Sequence, residues 1–180
     1  MPDILPKRKC IRLKNYDYSQ NGTYFITICS HNRESIFAEI SVGQGLCSCR
    51  ATRIGDIVDE EIANLPARYP NIAIYKHVIM PNHIHMIIAI NRTQQERRQE
   101  QSPCPTNTTP NPTVAIGDIV CALKSITTKR ANQYDDIKGR KIWQTRYHDH
   151  IIRGEEEYLK IWQYVDENPA QWAEDRYYIE

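Results

Sequence analysis

Short apolar runs and longer stretches with helical periodicity alternate along the chain, and this pattern predicts its regular elements. "TYFITIC", residues 23–29, is β-branched and aromatic and predicts a first strand. Apolar residues recur at helical spacing over 54–65, which predicts a helix. "NIAIYKHVIM", residues 71–80, predicts a second strand. "HIHMIIAI", residues 83–90, predicts a third strand, paired with the second across a turn at Pro81 and Asn82.

The second half of the chain predicts two helices and one strand. Residues 91–113 are polar and rich in Thr, Gln, Asn and Pro, which is typical of a flexible insertion. Thr113 can cap a helix that runs to about Asn132. The apolar stripe of this helix comprises Ile116, Ile119, Val120, Leu123 and Ile126. "KIWQTRYHDHII", residues 141–152, predicts a fourth strand, and a last helix opens at Gly154 and ends at Pro169.

The order β-α-β-β-α-β, followed by one helix, matches the ferredoxin-like plan. We therefore expect one α+β domain over residues 1–180, with an antiparallel sheet whose first and third strands are central. On the third strand His83 and His85 share a face, because successive side chains alternate. Two imidazoles side by side can chelate a divalent metal. The alternative is a partly exposed pair without a ligand. His148 and His150 repeat the spacing, so spacing alone does not select a site.

The last helix carries a second candidate group. Its apolar stripe comprises Tyr158, Ile161, Trp162 and Val165. Tyr164 lies off this stripe and shares a side with Lys160 and Asn168. A tyrosine on a helix flank is usually a half-buried packing residue. Asn168 lies four residues later, however, so its amide faces the same spot as the Tyr164 hydroxyl.

Charge and cysteine content narrow the possible partners. The net charge of +1 argues against binding duplex DNA by bulk electrostatics alone. Basic residues nevertheless cluster at residues 7–14 and 121–150, which suits a local phosphate contact. The six cysteines form no C-x-x-C pair, and we expect neither a membrane span nor a signal peptide, because no apolar stretch is long enough for a span and the residues at the start are polar. These features predict a cytoplasmic protein with reduced thiols, associated with the nucleoid if it binds DNA.

"MPNHIHMII", followed far downstream by "IWQYVDENPAQW", resembles the HUH single-tyrosine transposases, in particular the REP-associated tyrosine transposases of bacteria. "YDYSQNGTYFITICSHNR" and "HDHIIR" also resemble that group. The resemblance extends over nearly the whole chain, apart from residues 41–52 and 91–113. It implies that His83, His85 and Asn168 bind a metal and that Tyr164 is the nucleophile.

The implied activity is cutting and rejoining of single-stranded or hairpin DNA by transesterification through a 5′-phosphotyrosine link. A covalent intermediate keeps the bond energy, so no ATP is needed. The expected ion is Mg²⁺ or Mn²⁺. Candidate DNA contacts are Lys124, Arg130, Arg146 and, within the N-terminal cluster, Arg12. A monomer and a homodimer are both compatible with one tyrosine per chain.

Three other functions are compatible with parts of the pattern. A domesticated transposase would bind DNA hairpins or single strands without cutting them. An RNA-recognition module has the same strand order, but it stacks bases on aromatic residues of its central strands. Here only Tyr24 and Phe25 are aromatic on the first strand, and the third strand has none. A His-based metallohydrolase would need a carboxylate as general base, and none adjoins His83 in the sequence.

Overall fold

The computed structural model describes residues 17–43, 46–91 and 114–178. The strands in these ranges are β1 (Gly22–Cys29), β2 (Ala38–Gly43), β3 (Leu46–Ala51), β4 (Ile72–Ile79), β5 (His83–Ile90) and β6 (His148–Ile152). The helices are α1 (Arg53–Arg68), α2 (Ile116–Tyr134) and α3 (Glu155–Glu167), with 3₁₀ turns at His31–Arg33 and Trp172–Glu174. None of the helices in the described ranges is long and apolar enough to cross a membrane.

A four-stranded antiparallel sheet lies at the centre of the protein in the order β4-β5-β1-β6. The first strand and the strand of the histidine pair are therefore both central, as the ferredoxin-like plan predicts. The predicted α+β class is confirmed. In the antiparallel pairing of β1 with β5, Thr27 lies opposite His85 and Cys29 lies opposite His83. This register brings the end of β1 directly beside the two imidazoles.

One face of the sheet packs on α1 and α2 and forms the main core. The side chains of β5 that enter this core are Ile84, Met86, Ile88 and Ile90. Helix α1 begins where the Thr52 hydroxyl accepts a hydrogen bond of 3.1 Å from the Gly55 N–H. Gly55 lies so close to the backbone that an added Cβ would come within 2.0 Å of the Phe37 carbonyl oxygen. Close packing of the helix start against this loop therefore requires glycine.

The opposite face of the sheet packs on α3 through a smaller apolar cluster. Phe25, Ile87 and Val165 are its buried members. Its half-buried members are Val78, Ile152, Tyr158, Ile161 and Trp162. Lys76 of β4 fastens the helix further, because its ammonium lies 2.5 Å from Asp166 and 4.5 Å from the centre of the Trp162 ring. This cluster uses the predicted apolar stripe of the last helix.

The structure differs from the predicted elements at three places. The hairpin of β2 and β3 was not predicted, and it forms a separate two-stranded sheet. The fourth strand was predicted over 141–152 but is paired in the sheet only as β6. Before β6, Trp143 turns into the main core and forms one isolated bridge with Ser30. Helix α2 begins at Ile116, while Thr113 lies outside the described residues.

The buried face of α2 also differs from the predicted apolar stripe at one position. Ile126 is only half-buried, and the next residue, Thr127, is fully buried instead. The Thr127 hydroxyl accepts a hydrogen bond of 2.8 Å from the Trp143 indole N–H. A buried polar group is tolerated there because this bond satisfies it.

Candidate functional site

His83 and His85 are both completely buried on the α3 side of the sheet. Their Nε2 atoms lie 3.0 Å apart, and the ring centres are 4.5 Å apart. The alternative expectation of a partly exposed pair is therefore wrong. Two imidazoles buried this closely must share a proton or hold a cation, since two facing lone pairs repel each other.

Asn82 fixes the proton position on His83. The buried amide of Asn82 donates a hydrogen bond of 2.7 Å to the Tyr177 carbonyl, so its oxygen faces His83 Nδ1 at 2.9 Å. An amide oxygen can only accept, so Nδ1 of the neutral ring carries the proton. Nε2 of His83 then presents a lone pair to the centre of the site. This is the arrangement by which proteins orient a histidine that binds a metal.

His85 is oriented in a similar way from β1. Its Nδ1 lies 2.8 Å from the Thr27 hydroxyl, and the Phe25 ring stacks on it with the ring centres 5.1 Å apart. Burial lowers the pKa of His83 to about 4, although Asp175 opposes the shift. Burial and the neighbouring His83 lower the pKa of His85 as well. Both rings are therefore neutral at pH 7 and available as ligands.

Helix α3 brings Tyr164 to the same place. Its hydroxyl lies 3.2 Å from His85 Nε2, and its ring meets Phe25 edge-on with the centres 6.1 Å apart. The side chain is 37% exposed, so an external substrate can reach the hydroxyl. Burial of the ring and the adjacent Asp175 raise the pKa of Tyr164 to about 12. A positive charge near the hydroxyl would be needed to favour the phenolate at neutral pH.

Asp175 is a site residue that the sequence did not predict. One carboxylate oxygen accepts hydrogen bonds from the Asn168 amide at 2.8 Å and the Tyr164 hydroxyl at 3.4 Å. The other accepts a hydrogen bond of 2.6 Å from the Tyr177 backbone N–H. No carboxylate adjoins His83 in the sequence, but the fold supplies one from the C-terminal segment. Because Asp175 lies beside the imidazoles, the lack of a carboxylate next to His83 in the sequence does not exclude a His-based hydrolase.

The donor atoms fit a divalent cation. The two imidazole nitrogens and a carboxylate oxygen of Asp175 all lie within 4.8 Å of one another. Two ligands at right angles around an ion with bonds of about 2.1 Å lie about 3.0 Å apart, which is the separation of the two Nε2 atoms. Asn168 Oδ1 is buried and has no hydrogen-bond partner within the described residues. His83, His85 and Asp175 can thus hold the ion, with Asn168 as a further oxygen donor.

The second histidine pair does not form a comparable group in the described part of the chain. His150 is exposed and lies 2.7 Å from Glu157. His148 is half-buried, which lowers its pKa, and its buried Nδ1 has no hydrogen-bond partner among residues 17–43, 46–91 and 114–178. The two His-x-His motifs have the same spacing, and only their positions in the fold distinguish the candidate metal site from the second pair.

The candidate DNA-contact residues lie in different surroundings. Arg130 is engaged by Glu60 and Glu61 of α1, and the Lys124 ammonium donates to the carbonyls of residues 144–146. Arg146 is exposed and lines a cavity beside the histidine pair. Arg12 lies outside the described residues. Of these four residues, therefore, only Arg146 is placed by the described structure in a cavity next to the candidate site.

Known proteins resemble this chain both in sequence and in structure. No family model matches the chain. A Haemophilus influenzae protein, strain Rd, described as uncharacterized, is 36% identical over 177 residues, covering 96% of this chain and 94% of its own. The REP-associated tyrosine transposase bound to a REP hairpin is similar at a TM-score of 0.52 and 18% identity, over 89% of this chain and 74% of that chain. A candidate transposase from Deinococcus radiodurans R1 has a TM-score of 0.46 and 15% identity, over 86% and 95%.

The α+β sheet and its flanking helices are the fold of the REP-associated tyrosine transposase. The resemblance to the HUH single-tyrosine transposase group is thereby confirmed at the level of the fold. In sequence, the chain belongs to the same family as the Haemophilus influenzae protein, to which it is 36% identical over 96% of its length.

Proposed function

We propose that the protein is a metal-dependent DNA strand transferase that cuts and rejoins single-stranded or hairpin DNA through Tyr164. The observation that carries this proposal is the position of the phenol. Its hydroxyl is exposed to substrate on one side and lies 3.2 Å from a buried imidazole pair on the other. A tyrosine that served only in packing would have no need of two neutral imidazoles and a carboxylate at its hydroxyl.

In the proposed reaction the Tyr164 oxygen attacks a phosphodiester of the DNA strand. The bond between phosphorus and the 3′-oxygen breaks, and a 5′-phosphotyrosine bond forms. Asp175 accepts a hydrogen bond from the phenol, so it is the group that can take the phenolic proton. The departing 3′-oxygen gains a proton and leaves as a hydroxyl. Attack by another 3′-hydroxyl on the phosphotyrosine reverses the step and joins the strand elsewhere.

His83, His85 and Asp175 would hold the divalent ion, with Asn168 as an additional donor. When bound, the ion polarises the phosphoryl oxygen and neutralises the charge that develops there. The chain's own contribution is to fix the ligands: Asn82 and Thr27 orient the two rings, and burial keeps both neutral. We propose Mg²⁺ or Mn²⁺, because oxygen donors beside imidazole suit these ions.

The substrate is proposed to be unpaired or hairpin DNA. The structural relative is a transposase bound to a REP hairpin, and its fold is shared. The geometry also favours an unpaired strand, since the Tyr164 hydroxyl approaches a sheet face that α3 partly covers. An RNA-recognition module gains no support, because Tyr24 is fully buried in the core and Phe25 is buried against His85.

Formation of a covalent protein–DNA adduct tests the proposal. Labelled single-stranded oligonucleotides are incubated with the protein and Mn²⁺, with and without EDTA, and analysed on a denaturing gel. We expect an adduct that requires the metal, is abolished in Tyr164→Phe and is retained in Tyr134→Phe, a control at an exposed tyrosine. His83→Ala should abolish the adduct at every metal concentration.

The same gel separates the proposed function from a domesticated binder. DNA binding without an adduct in the wild-type protein would favour the binder. An adduct that persists in Tyr164→Phe would assign the chemistry to another tyrosine.

A further inference from the structure

A cavity of about 340 Å³ opens beside the histidine pair on the edge of the sheet that β6 forms. Three arginines line it, Arg33, Arg146 and Arg176, together with the aromatic rings of Tyr147 and Tyr177. We call this cavity the arginine pocket. Its volume is at the lower end of the range of small-molecule sites, about 300–1,000 Å³. It therefore has room for one nucleotide rather than several.

Tyr177 links the arginine pocket to the candidate metal site. Its ring centre lies 4.6 Å from that of His83. The guanidinium carbon of Arg176 lies 4.6 Å from the centre of the Tyr177 ring, and that of Arg33 lies 5.5 Å from it. Two guanidinium groups are thus held on a single ring that itself contacts a candidate ligand. Arg176 also lines the neighbouring cavity that contains Tyr164. A phosphate bound at Arg176 would therefore lie close to the phosphodiester that Tyr164 attacks.

The positive charges of the three arginines are available to bind a phosphate. None of them forms an ion pair with a carboxylate within residues 17–43, 46–91 and 114–178, whereas Arg130 on α2 is engaged by two glutamates. His148, which also lines the pocket, has a buried Nδ1 that lacks a hydrogen-bond partner in the same ranges. Arg176 donates a hydrogen bond to the Tyr177 hydroxyl, but guanidinium groups without a carboxylate partner around a cavity are typical of phosphate recognition.

The backbone at Arg33 is unusual and supports a functional role. Asn32 and Arg33 are consecutive residues in the left-handed region, with φ of 53° and 59°. Such a conformation is unfavourable for an arginine and tends to occur at functional sites. Two hydrogen bonds hold this turn: the His31 N–H donates to the Ile142 carbonyl at 2.8 Å, and the Ser30 hydroxyl donates to the Glu34 carbonyl at 2.7 Å. The fold thus maintains a strained turn that points a charged residue at the pocket.

We propose that the arginine pocket binds the nucleotide adjacent to the scissile phosphodiester of a single DNA strand. The guanidinium groups of Arg33, Arg146 and Arg176 contact its phosphate, and its base enters the cavity. Tyrosine rings and guanidinium planes both offer flat faces on which a base stacks. This inference rests on the proposed function, because it places the pocket along the strand that Tyr164 cuts.

Binding measured without cleavage tests the inference. The wild-type full-length chain is titrated in EDTA against a labelled single-stranded oligonucleotide of random sequence, and fluorescence anisotropy is recorded at several salt concentrations. We expect Arg146→Gln and Arg33→Gly each to weaken binding about tenfold, the effect of losing one charge-assisted hydrogen bond. The slope of log K against log salt should fall by about 0.7 for each lost phosphate contact. Lys129→Gln is the matched control, since it removes one positive charge from the exposed face of α2.

Two readouts separate a binding role from a structural one. Arg33→Gly relieves the left-handed backbone, so its thermal midpoint should stay unchanged or rise while binding weakens. Deoxynucleoside monophosphates should compete with the oligonucleotide at lower concentration than inorganic phosphate, because only they fill the cavity. Equal competition by inorganic phosphate would overturn the assignment of a base to the pocket.

The experiments distinguish a wrong assignment of the arginine pocket from a wrong assignment of the strand-transfer activity. If the wild-type protein forms the covalent adduct but both arginine variants bind DNA like Lys129→Gln, the pocket assignment is wrong and the strand-transfer function stands. If the variants lose affinity and salt dependence while no adduct forms, the pocket binds single-stranded DNA and the chemistry fails.

Discussion

Replacing Thr27 by valine tests whether the hydrogen-bonded shell around the imidazoles serves a metal. Thr27 is 1% exposed, and its hydroxyl lies 2.8 Å from His85 Nδ1. Valine has nearly the same shape, so the substitution removes this hydrogen bond without opening a cavity. Loss of one buried hydrogen bond costs about 1 kcal/mol of unfolding free energy. In a domain of this size that lowers the thermal midpoint by about 2–4 °C.

The effect of Thr27→Val on metal affinity should be larger than its effect on stability. Loss of a residue that orients a metal-binding histidine typically weakens binding 10–100-fold, which is about 1.4–2.7 kcal/mol. Titration calorimetry with Mn²⁺ on the folded variant measures this. Thr27→Ser keeps the hydroxyl and is the matched control, expected to bind within a few-fold of wild type. A folded Thr27→Val protein with wild-type Mn²⁺ affinity would refute the role of the imidazole pair as ligands.

Further predictions concern the third ligand, the start of helix α1 and the half-buried Lys124. Asp175→Asn should weaken Mn²⁺ binding at least tenfold in the same calorimetric assay, whereas an unchanged affinity would leave Asn168 as the third ligand. Gly55→Ala should destabilise the protein by about 1–3 kcal/mol or more in urea unfolding, because the added Cβ meets a backbone carbonyl. Gly154→Ala is the control: a Cβ there meets open space, so the unfolding free energy should change by less than about 0.5 kcal/mol. Burial lowers the pKa of Lys124 to about 8 from its ordinary value of 10.5. Above pH 8 the folded state therefore releases a proton that the unfolded state retains. The free energy of unfolding of the wild type, relative to that of Lys124→Met, should thus rise with pH up to about 10.5. A difference in unfolding free energy that stays constant with pH would contradict this.

The regular pattern of the sequence was sufficient to predict the sheet. The alternation in β5 placed His83 and His85 on one face and the main core on the other, because side-chain direction in a strand depends only on parity. The β2–β3 hairpin escaped prediction because it pairs only with itself in a separate sheet. The glycines of "VGQGL" at residues 42–46 are the turn signal that could have revealed it.

The candidate site was predicted only in part. The i, i+4 relation of Tyr164 and Asn168 is local, so helix geometry sufficed to place them together. Asp175 follows Pro169, where no periodicity applies, and the 3₁₀ turn Trp172–Glu174 carries it back to the site. The same reason explains the pocket, since Arg33, Arg146 and Arg176 meet only after three distant segments have folded.

The sheet divides the apolar interior into two clusters of unequal size, and this division has a consequence for amide hydrogen exchange. Strand β5 belongs to the larger cluster through one face, so its amide protons should exchange only when the whole domain unfolds. Helix α3 is held by the smaller cluster alone and contains one fully buried residue, Val165. Its amides should therefore exchange through a sub-global opening that leaves β5 protected. The candidate nucleophile is carried by a segment that can detach, while its imidazole partners belong to the last part of the molecule to open.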